Sequence, residues 1–222
     1  MIIAVFDIET TGSNQFSNKC FAVGYCIGRI NTEKPARVLK KGKWTVDLGK
    51  PSDTSWEKFW IKQGWDMRRY NQFWSEHLDI LERLAQNNDR LPDEAALARA
   101  INYLLGELER DHKDFVVGFD TVAFDSVWIA TMLQKRGFAG ITQNRDGDGY
   151  RSVYEVDSYR FGVFGVELEN WKQLNRAVAD CITHPSIEPI ENLAHDPEVD
   201  AYNIFADFAN THDYRHLPSA PF

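Results

Sequence analysis

The chain has 222 residues, of which 43% are hydrophobic and 13% aromatic, so it can bury a sizeable core and is not disordered. Its formal net charge of −8 argues against the broad basic face that captures duplex nucleic acid. Three cysteines without paired spacing exclude a disulfide scaffold, and the absence of a bilayer-length apolar stretch or a signal peptide predicts an intracellular, cytoplasmic protein.

The first predicted strand carries two carboxylates on one face. An apolar run at residues 2–6 ends in the sequence DIETTG at residues 7–12. Because side chains alternate along a strand, Asp7 and Glu9 lie side by side. Two such carboxylates repel each other and are costly to desolvate, and a hard divalent cation such as Mg²⁺ or Mn²⁺ relieves both problems. The segment therefore predicts half of a metal site.

Two more strands follow the first one without an intervening helix. Residues 20–28 form an apolar run, and a third strand is predicted around Val38 and residues 44–46. A parallel nucleotide-binding fold would place a helix directly after its first strand. The pattern therefore argues against a parallel nucleotide-binding fold.

An aromatic-rich segment, residues 47–90, comes next. Apolar residues recur at helical spacing between residues 66 and 84, and Gly64 interrupts any longer helix. The rings could form a stacking surface for nucleic-acid bases or a dimer surface, or they could pack the segment onto the rest of the protein. We favour packing. The aromatic residues that define the segment are Trp56, Phe59, Trp60, Trp65, Phe73 and Trp74.

The second half of the chain alternates predicted helices and strands. A helix is predicted from Pro92 to about Asp111, then a strand at residues 115–117 and a helix that carries Asp125. Residues 144–149 nearly match a calcium-binding loop, but a hairpin turn is favoured because residues 152–157 alternate like a strand. Further helical character is predicted at residues 168–178.

Two later motifs supply partners for the first carboxylate pair. Phe124-Asp125 follows a β-branched strand and a glycine, and His195 stands five positions before Asp200. Pro197 fits the first turn of a helix, so Asp200 can face inward on that helix.

This order of motifs resembles the DEDDh branch of the DnaQ-like 3′–5′ exonucleases. The stretch at residues 54–63 also resembles an element of the subgroup that contains RNase-T-like enzymes and a phage single-strand exonuclease. The resemblance implies one α/β domain over residues 1–222 with an RNase H-like mixed central sheet that opens with a strand meander and is flanked by helices. The aromatic-rich helical segment, about 47–90, would be an insertion into it.

The resemblance also implies roles for individual residues. Four carboxylates, Asp7, Glu9, Asp125 and Asp200, would hold two Mg²⁺ or Mn²⁺ ions, and His195 would be the general base. Asp120 stands where the family more often has asparagine, so it competes with Asp125 for one role; we favour Asp125. The backbone and hydroxyl groups of Thr10 and Thr11 would contact the terminal nucleotide.

The implied reaction is hydrolysis of single-stranded RNA or DNA from a free 3′ end to 5′-mononucleotides. The net charge of −8 is consistent with few phosphate contacts and a short single-stranded substrate end. The alternative is a non-catalytic module that binds nucleic acid or protein on the same fold. A homodimer is also compatible with the aromatic segment.

Overall fold

A mixed five-stranded sheet forms the centre of the protein. The computed structural model describes residues 1–32, 34–85, 89–112, 115–143, 151–164, 178, 181–182, 185–191 and 193–215. The strands are β1 (Ile2–Thr10), β2 (Cys20–Arg29), β3 (Arg37–Thr45), β4 (Phe115–Phe119) and β5 (Val153–Glu155). They lie in the order β3-β2-β1-β4-β5, with β1 antiparallel to β2, β2 antiparallel to β3, and β1, β4 and β5 parallel. The predicted opening meander is confirmed.

Helices cover both faces of this sheet. They are α1 (Trp56–Gln63), α2 (Met67–Gln72), α3 (Leu78–Ala85), α4 (Glu94–Asp111), α5 (Val127–Gln134), α6 (Val156–Phe164) and α7 (Pro197–Arg215). A 3-10 turn at Trp74–Glu76 precedes α3, and a π-type turn at Val122–Ser126 precedes α5. None of the helices in the described part of the chain combines the length and the apolar character needed to cross a bilayer.

The alternation of side chains along β1 divides the core into two layers. Ala4 and Phe6 pack with α4, α5 and the aromatic segment, whereas Ile3 and Val5 pack with α7. Asp7 and Glu9 have the same parity as Ile3 and Val5. The two carboxylates therefore face the side of the sheet that α7 covers.

Two glycines of β2 let α7 lie directly on the sheet. A Cβ atom on Gly24 would stand 1.7 Å from the carbonyl oxygen of Pro197, and one on Gly28 would stand 2.0 Å from the ring of Phe205. Gly24 is also the cross-strand partner of Asp7. The first turn of α7 is thereby brought beside the carboxylate at the end of β1.

The aromatic segment is anchored to the sheet at both of its ends and in its middle. Val46 and Leu91 pair at its base. In the middle, the indole Nε1 of Trp74 donates to the carbonyl oxygen of Thr10 at 3.0 Å. Trp60 and Trp74 are fully buried, so the packing interpretation of these tryptophans is confirmed. Phe73 is only partly buried.

Two sequence predictions are wrong in detail. The helical stripe at residues 66–84 is not one helix: it is split into α2, the 3-10 turn and α3. The alternating residues 152–157 form only the short strand β5, and α6 begins at Val156, which is buried against α7. Strand β5 is short because it pairs only with the last three residues of β4. The predicted turn at residues 144–149 and most of the predicted helix at 168–178 lie outside the described residues.

Candidate active site

One cleft of about 570 Å³ gathers all five residues predicted to carry the chemistry. Asp7 and Glu9 come from the end of β1, Asp125 from the π-type turn, and His195 and Asp200 from the start of α7. The remaining residues of its lining are Ile8, Arg69, Phe73, Asp120, Thr121, Phe124, Asn203, Ile204 and Asp207. Residues far apart in the sequence thus meet in one place.

The two carboxyl groups of β1 lose their protons less readily in this buried environment than they would in water. Desolvation raises the pKa of Asp7 well above its usual value, and the charges of Glu9 and Asp125 raise it further. Desolvation also raises the pKa of Glu9, although the positive charge of Arg69 acts in the opposite direction. The pair therefore favours either protons or a bound cation.

Asp125 is held by an irregular turn. Its carboxylate accepts a hydrogen bond from the backbone N–H of Thr121 at 3.3 Å, and the turn around it has π-type geometry, which is common at functional sites. Burial raises the pKa of Asp125 to about 7 despite that hydrogen bond. Only 5% of Asp125 is exposed, so its charge is costly without a partner.

The start of α7 positions His195 and Asp200 together. Asp196 caps the helix, because its carboxylate accepts from the Glu198 N–H at 3.2 Å and its carbonyl accepts from the Asp200 N–H at 2.9 Å. Pro197 is the first helical residue, as the sequence predicts. Burial raises the pKa of Asp200 to about 6.

Two aromatic side chains of the 47–90 segment flank the imidazole of His195. The ring centroids of Phe73 and His77 each lie 4.6 Å from that of His195. Burial lowers the pKa of His195, and the nearby charges of His77 and Arg69 lower it further. The imidazole is therefore neutral at neutral pH and can accept a proton.

The donor set fits a hard divalent cation. Glu9, His195 and Asp200 each present a ligand atom, and these atoms lie within 4.8 Å of one another. The raised pKa values of Asp7, Glu9, Asp125 and Asp200 share one physical cause, the burial of carboxylates without enough positive charge. Oxygen-rich sites of this kind suit Mg²⁺ or Mn²⁺.

Thr10 and Thr11 lie at the end of β1, next to the cleft but outside its lining. Both are buried. The hydroxyl of Thr10 donates to the carbonyl oxygen of Gly12 at 2.9 Å, and that of Thr11 accepts from the backbone N–H of Lys19 at the same distance. Their contact with a terminal nucleotide stays a prediction.

Asp120, the competitor of Asp125, also lines the cleft. It is exposed, and its side chain is hydrogen-bonded to Asp157, whose pKa burial and this contact raise to about 7. Arg160 bridges Asp157 and Asp207 at 3.1 Å each. Asp120 thus belongs to an acidic group at one side of the cleft. Of the two competing aspartates, Asp125 is the buried one.

Sequence reasoning missed several residues of the lining. Asn203, Ile204 and Asp207 stand three, four and seven positions after Asp200, so the helical period would have found them once α7 was assigned. Arg69 and Phe73 gave no such signal, because only the folding of the aromatic segment brings them to the cleft.

Comparison with known proteins supports the fold. Neither a protein-family model nor a curated protein matches the chain. A product-bound structure of exonuclease I matches 92% of this chain with a TM-score of 0.55 and 14% identity. The zinc-bound form of the E. coli exonuclease I complex with single-stranded DNA matches 97% of this chain, with a TM-score of 0.54 and 16% sequence identity. The chain spans only 42% and 41% of those two proteins.

A third structure has a size closer to this chain. The nuclease domain of 3′hExo, a DEDDh family member bound to rAMP, matches 96% of this chain and is itself covered over 90%, with a TM-score of 0.51 and 8% identity. The similarity shows that the chain has the RNase H-like fold of the DnaQ-like exonucleases, as predicted from the sequence.

Proposed function

We propose that this chain is a two-metal-ion 3′–5′ exonuclease that degrades single-stranded RNA or DNA to 5′-mononucleotides. The observation that carries the proposal is the convergence of Asp7, Glu9, Asp125, Asp200 and His195 on one cleft. The fold supports it, because solved proteins of the same fold are exonucleases by name.

Four carboxylates would hold the metal ions: Asp7, Glu9, Asp125 and Asp200. Bound Mg²⁺ or Mn²⁺ would supply Lewis acidity to the scissile phosphate and to the leaving 3′-oxygen. Because burial raises the pKa values of Asp7 and Glu9, metal binding would displace protons from these carboxylates, so metal affinity should rise with pH.

His195 is the general base in this proposal. Its neutral imidazole accepts the proton of the attacking water, and the rings of Phe73 and His77 restrict its orientation. Attack at the terminal phosphodiester then breaks the bond to the 3′-oxygen and releases a nucleoside 5′-monophosphate. Thr10 and Thr11 at the end of β1 would contact the terminal nucleotide.

A single strand with a free 3′ end is the proposed substrate. The structures of exonuclease I include a complex with single-stranded DNA, and the 3′hExo domain is bound to rAMP. The net charge of −8 supports a short bound segment, since a long one would need many phosphate contacts.

The decisive experiment is a time course on 5′-labelled single-stranded RNA and DNA, with Mn²⁺ or with EDTA. The wild-type chain is compared with Asp7→Ala and with a matched control, Asp111→Ala, which removes an exposed carboxylate outside the cleft. We expect a ladder that shortens from the 3′ end and requires both Mn²⁺ and Asp7. The faster substrate identifies the sugar. Binding without cleavage would instead indicate the non-catalytic module.

A further inference from the structure

Arg69 is the arginine of the cleft lining, and its surroundings are unusual for a cation among carboxylates. It lies in α2, which Asp66 caps by accepting from the backbone N–H groups of Arg68 and Arg69. The cap fixes the helix, and the helix places Arg69 at the cleft while the neighbouring Arg68 is exposed to solvent.

The guanidinium of Arg69 is stacked on an aromatic ring. Its central carbon lies 4.0 Å from the ring centroid of Phe73, a distance typical of a cation–π contact. Phe73 in turn packs edge-on against His195, with 4.6 Å between the ring centroids. Arg69 is therefore held in one orientation next to the imidazole that the proposed reaction uses.

One hydrogen-bond donor of this side chain, its Nε, is buried and unused within the described part of the protein. The Nε of Arg69 is buried and has no hydrogen-bond partner, and its guanidinium forms no ion pair with a described carboxylate. A buried arginine donor without an acceptor is costly. By contrast, the Nε of Arg68 donates to Gln72 at 3.2 Å.

A phosphate group is the ligand that fits this arrangement. A planar guanidinium can donate in parallel to two oxygens of a phosphate, and Phe73 contacts a face of the group rather than its N–H edge. Six carboxyl-bearing residues line the same cleft, so an anionic ligand there needs positive charge nearby, which Arg69 and the proposed divalent cations would supply to a phosphate.

We infer that Arg69, held in place by Phe73, is a substrate-binding residue that donates hydrogen bonds to a nonbridging oxygen of the 3′-terminal phosphodiester. The inference rests on the proposed function and adds a contact from the 47–90 segment to it. The phosphate that Arg69 binds becomes the 5′-phosphate of the released mononucleotide. Arg69 should therefore contact the product as well as the substrate.

The test compares two product-like ligands, deoxyadenosine 5′-monophosphate and deoxyadenosine, by calorimetry with Mn²⁺. We expect Arg69→Ala to weaken binding of the monophosphate by about 10- to 100-fold, as for loss of a charge-assisted hydrogen bond. Binding of the nucleoside should change by less than about twofold. Arg69→Lys should recover part of the loss, since it keeps the charge without the planar fork.

Arg68→Ala is the matched control, because it removes an arginine from the same helix outside the cleft. Its affinities should equal those of the wild type. Arg69→Gln serves as a second variant if Arg69→Ala melts at a lower temperature, since glutamine keeps the bulk of the side chain. Both Arg69 variants should lower kcat/KM on single-stranded substrate by a factor similar to the loss in monophosphate affinity.

The outcomes separate this inference from the proposed function. Wild-type-like monophosphate binding and kcat/KM in both Arg69→Ala and Arg69→Gln overturn the role of Arg69, whether or not the chain is a nuclease. Arg69-dependent monophosphate binding without cleavage by the wild type supports the phosphate site and overturns the nuclease. If the wild type neither binds the monophosphate nor cleaves the single-stranded substrate, both the role of Arg69 and the proposed function are overturned.

Discussion

His195 has a backbone conformation that L-residues rarely adopt. Its φ of 65° is in the left-handed region, and no other described non-glycine residue has a positive φ. Such conformations persist where the surrounding structure over-determines them, and they cluster at functional sites. Here the cap formed by Asp196 and the rings of Phe73 and His77 hold the residue in place.

Replacement of His195 distinguishes a base from a metal ligand. We expect His195→Ala to lower kcat by about 10²- to 10⁴-fold, the usual contribution of a general base. Mn²⁺ affinity, measured by calorimetry, should stay within about twofold, because four carboxylates remain. Since the imidazole also lies within reach of Glu9 and Asp200, an equal fall in metal affinity would assign His195 as a ligand instead.

The burial of Asp125 predicts how pH acts on the metal-free protein. Its pKa of about 7 in the folded state is above its value in the unfolded chain, so the folded state binds the proton more tightly. Stability from this group is fully present below pH 4 and is lost as pH rises through about 7. Metal-free protein should therefore melt at a lower temperature at pH 8 than at pH 5.5.

Asp125→Asn should remove much of this loss. In EDTA at pH 8, the melting temperature of the variant should be at least about 2 °C above that of the wild type, because its free energy of unfolding rises by on the order of 1 kcal/mol. With Mn²⁺ the order should reverse, since the variant lacks a ligand and gains less from the metal. A variant that melts like the wild type in EDTA at both pH values would contradict the charge cost assigned to Asp125.

At the scale of elements, the position of α7 decides whether the site exists. The helix supplies Asp200, and Asp196 at its start is tied by ion pairs to Lys43 of β3 at 2.5 Å and to Arg83 of α3 at 3.6 Å. These contacts link the sheet edge and the aromatic segment to the residue after His195. Close approach of α7 to the sheet depends on Gly24, which has no side chain to obstruct Pro197.

Gly24→Ala should therefore displace α7. The added Cβ would meet a backbone carbonyl 1.7 Å away, which cannot rotate aside. We expect a loss of about 3 kcal/mol and a fall of about 6–12 °C in melting temperature, together with a loss of activity.

Gly162→Ala is the matched control, because the same substitution in α6 meets no atom within 4 Å. It should stabilise the protein by about 0.5–1 kcal/mol through the backbone entropy of the unfolded chain. Both variants are compared by thermal melting and by nuclease rate. Equal melting temperatures for the two would show that α7 does not depend on Gly24.

For the whole molecule, the charge balance limits how substrate is bound. With a net charge of −8, attraction of a nucleic acid at long range is absent, so in the proposed function substrate binding would depend on the cleft, its metal ions and Arg69. Each phosphate neutralised on a single strand contributes a slope of about −0.7 to log affinity against log salt.

A shallow salt dependence is the corresponding prediction. The logarithm of the affinity for a single-stranded oligonucleotide should change with log salt by a slope of about −1.4 to −2.1 between 50 and 200 mM salt, which corresponds to two or three phosphates. Fluorescence anisotropy with the His195→Ala variant measures this without degradation. A slope steeper than about −4 would indicate an extended basic track that the cleft does not contain.

The sequence was enough to predict which residues form the candidate site, and the family resemblance added the opening strand meander that the structure contains. Alternation on β1 was enough to place Asp7 and Glu9 on one face, and Pro197 was enough to start the helix that carries Asp200. These features depend on local periodicity and on backbone restrictions, which a sequence displays directly. The same local rules failed at residues 66–84, where apolar spacing continued across two breaks in the helix.

Only the tertiary structure decided what surrounds the proposed catalytic residues. The aromatic rings pack inward, and their burial carries Arg69 and Phe73 across to a cleft built from β1, α7 and the π-type turn. The closeness of Glu9, His195 and Asp200 likewise depends on the contact between Gly24 and Pro197. The contact between Gly24 and Pro197 joins residues more than 150 positions apart. No periodicity in the sequence records such contacts, because they follow from packing of whole elements.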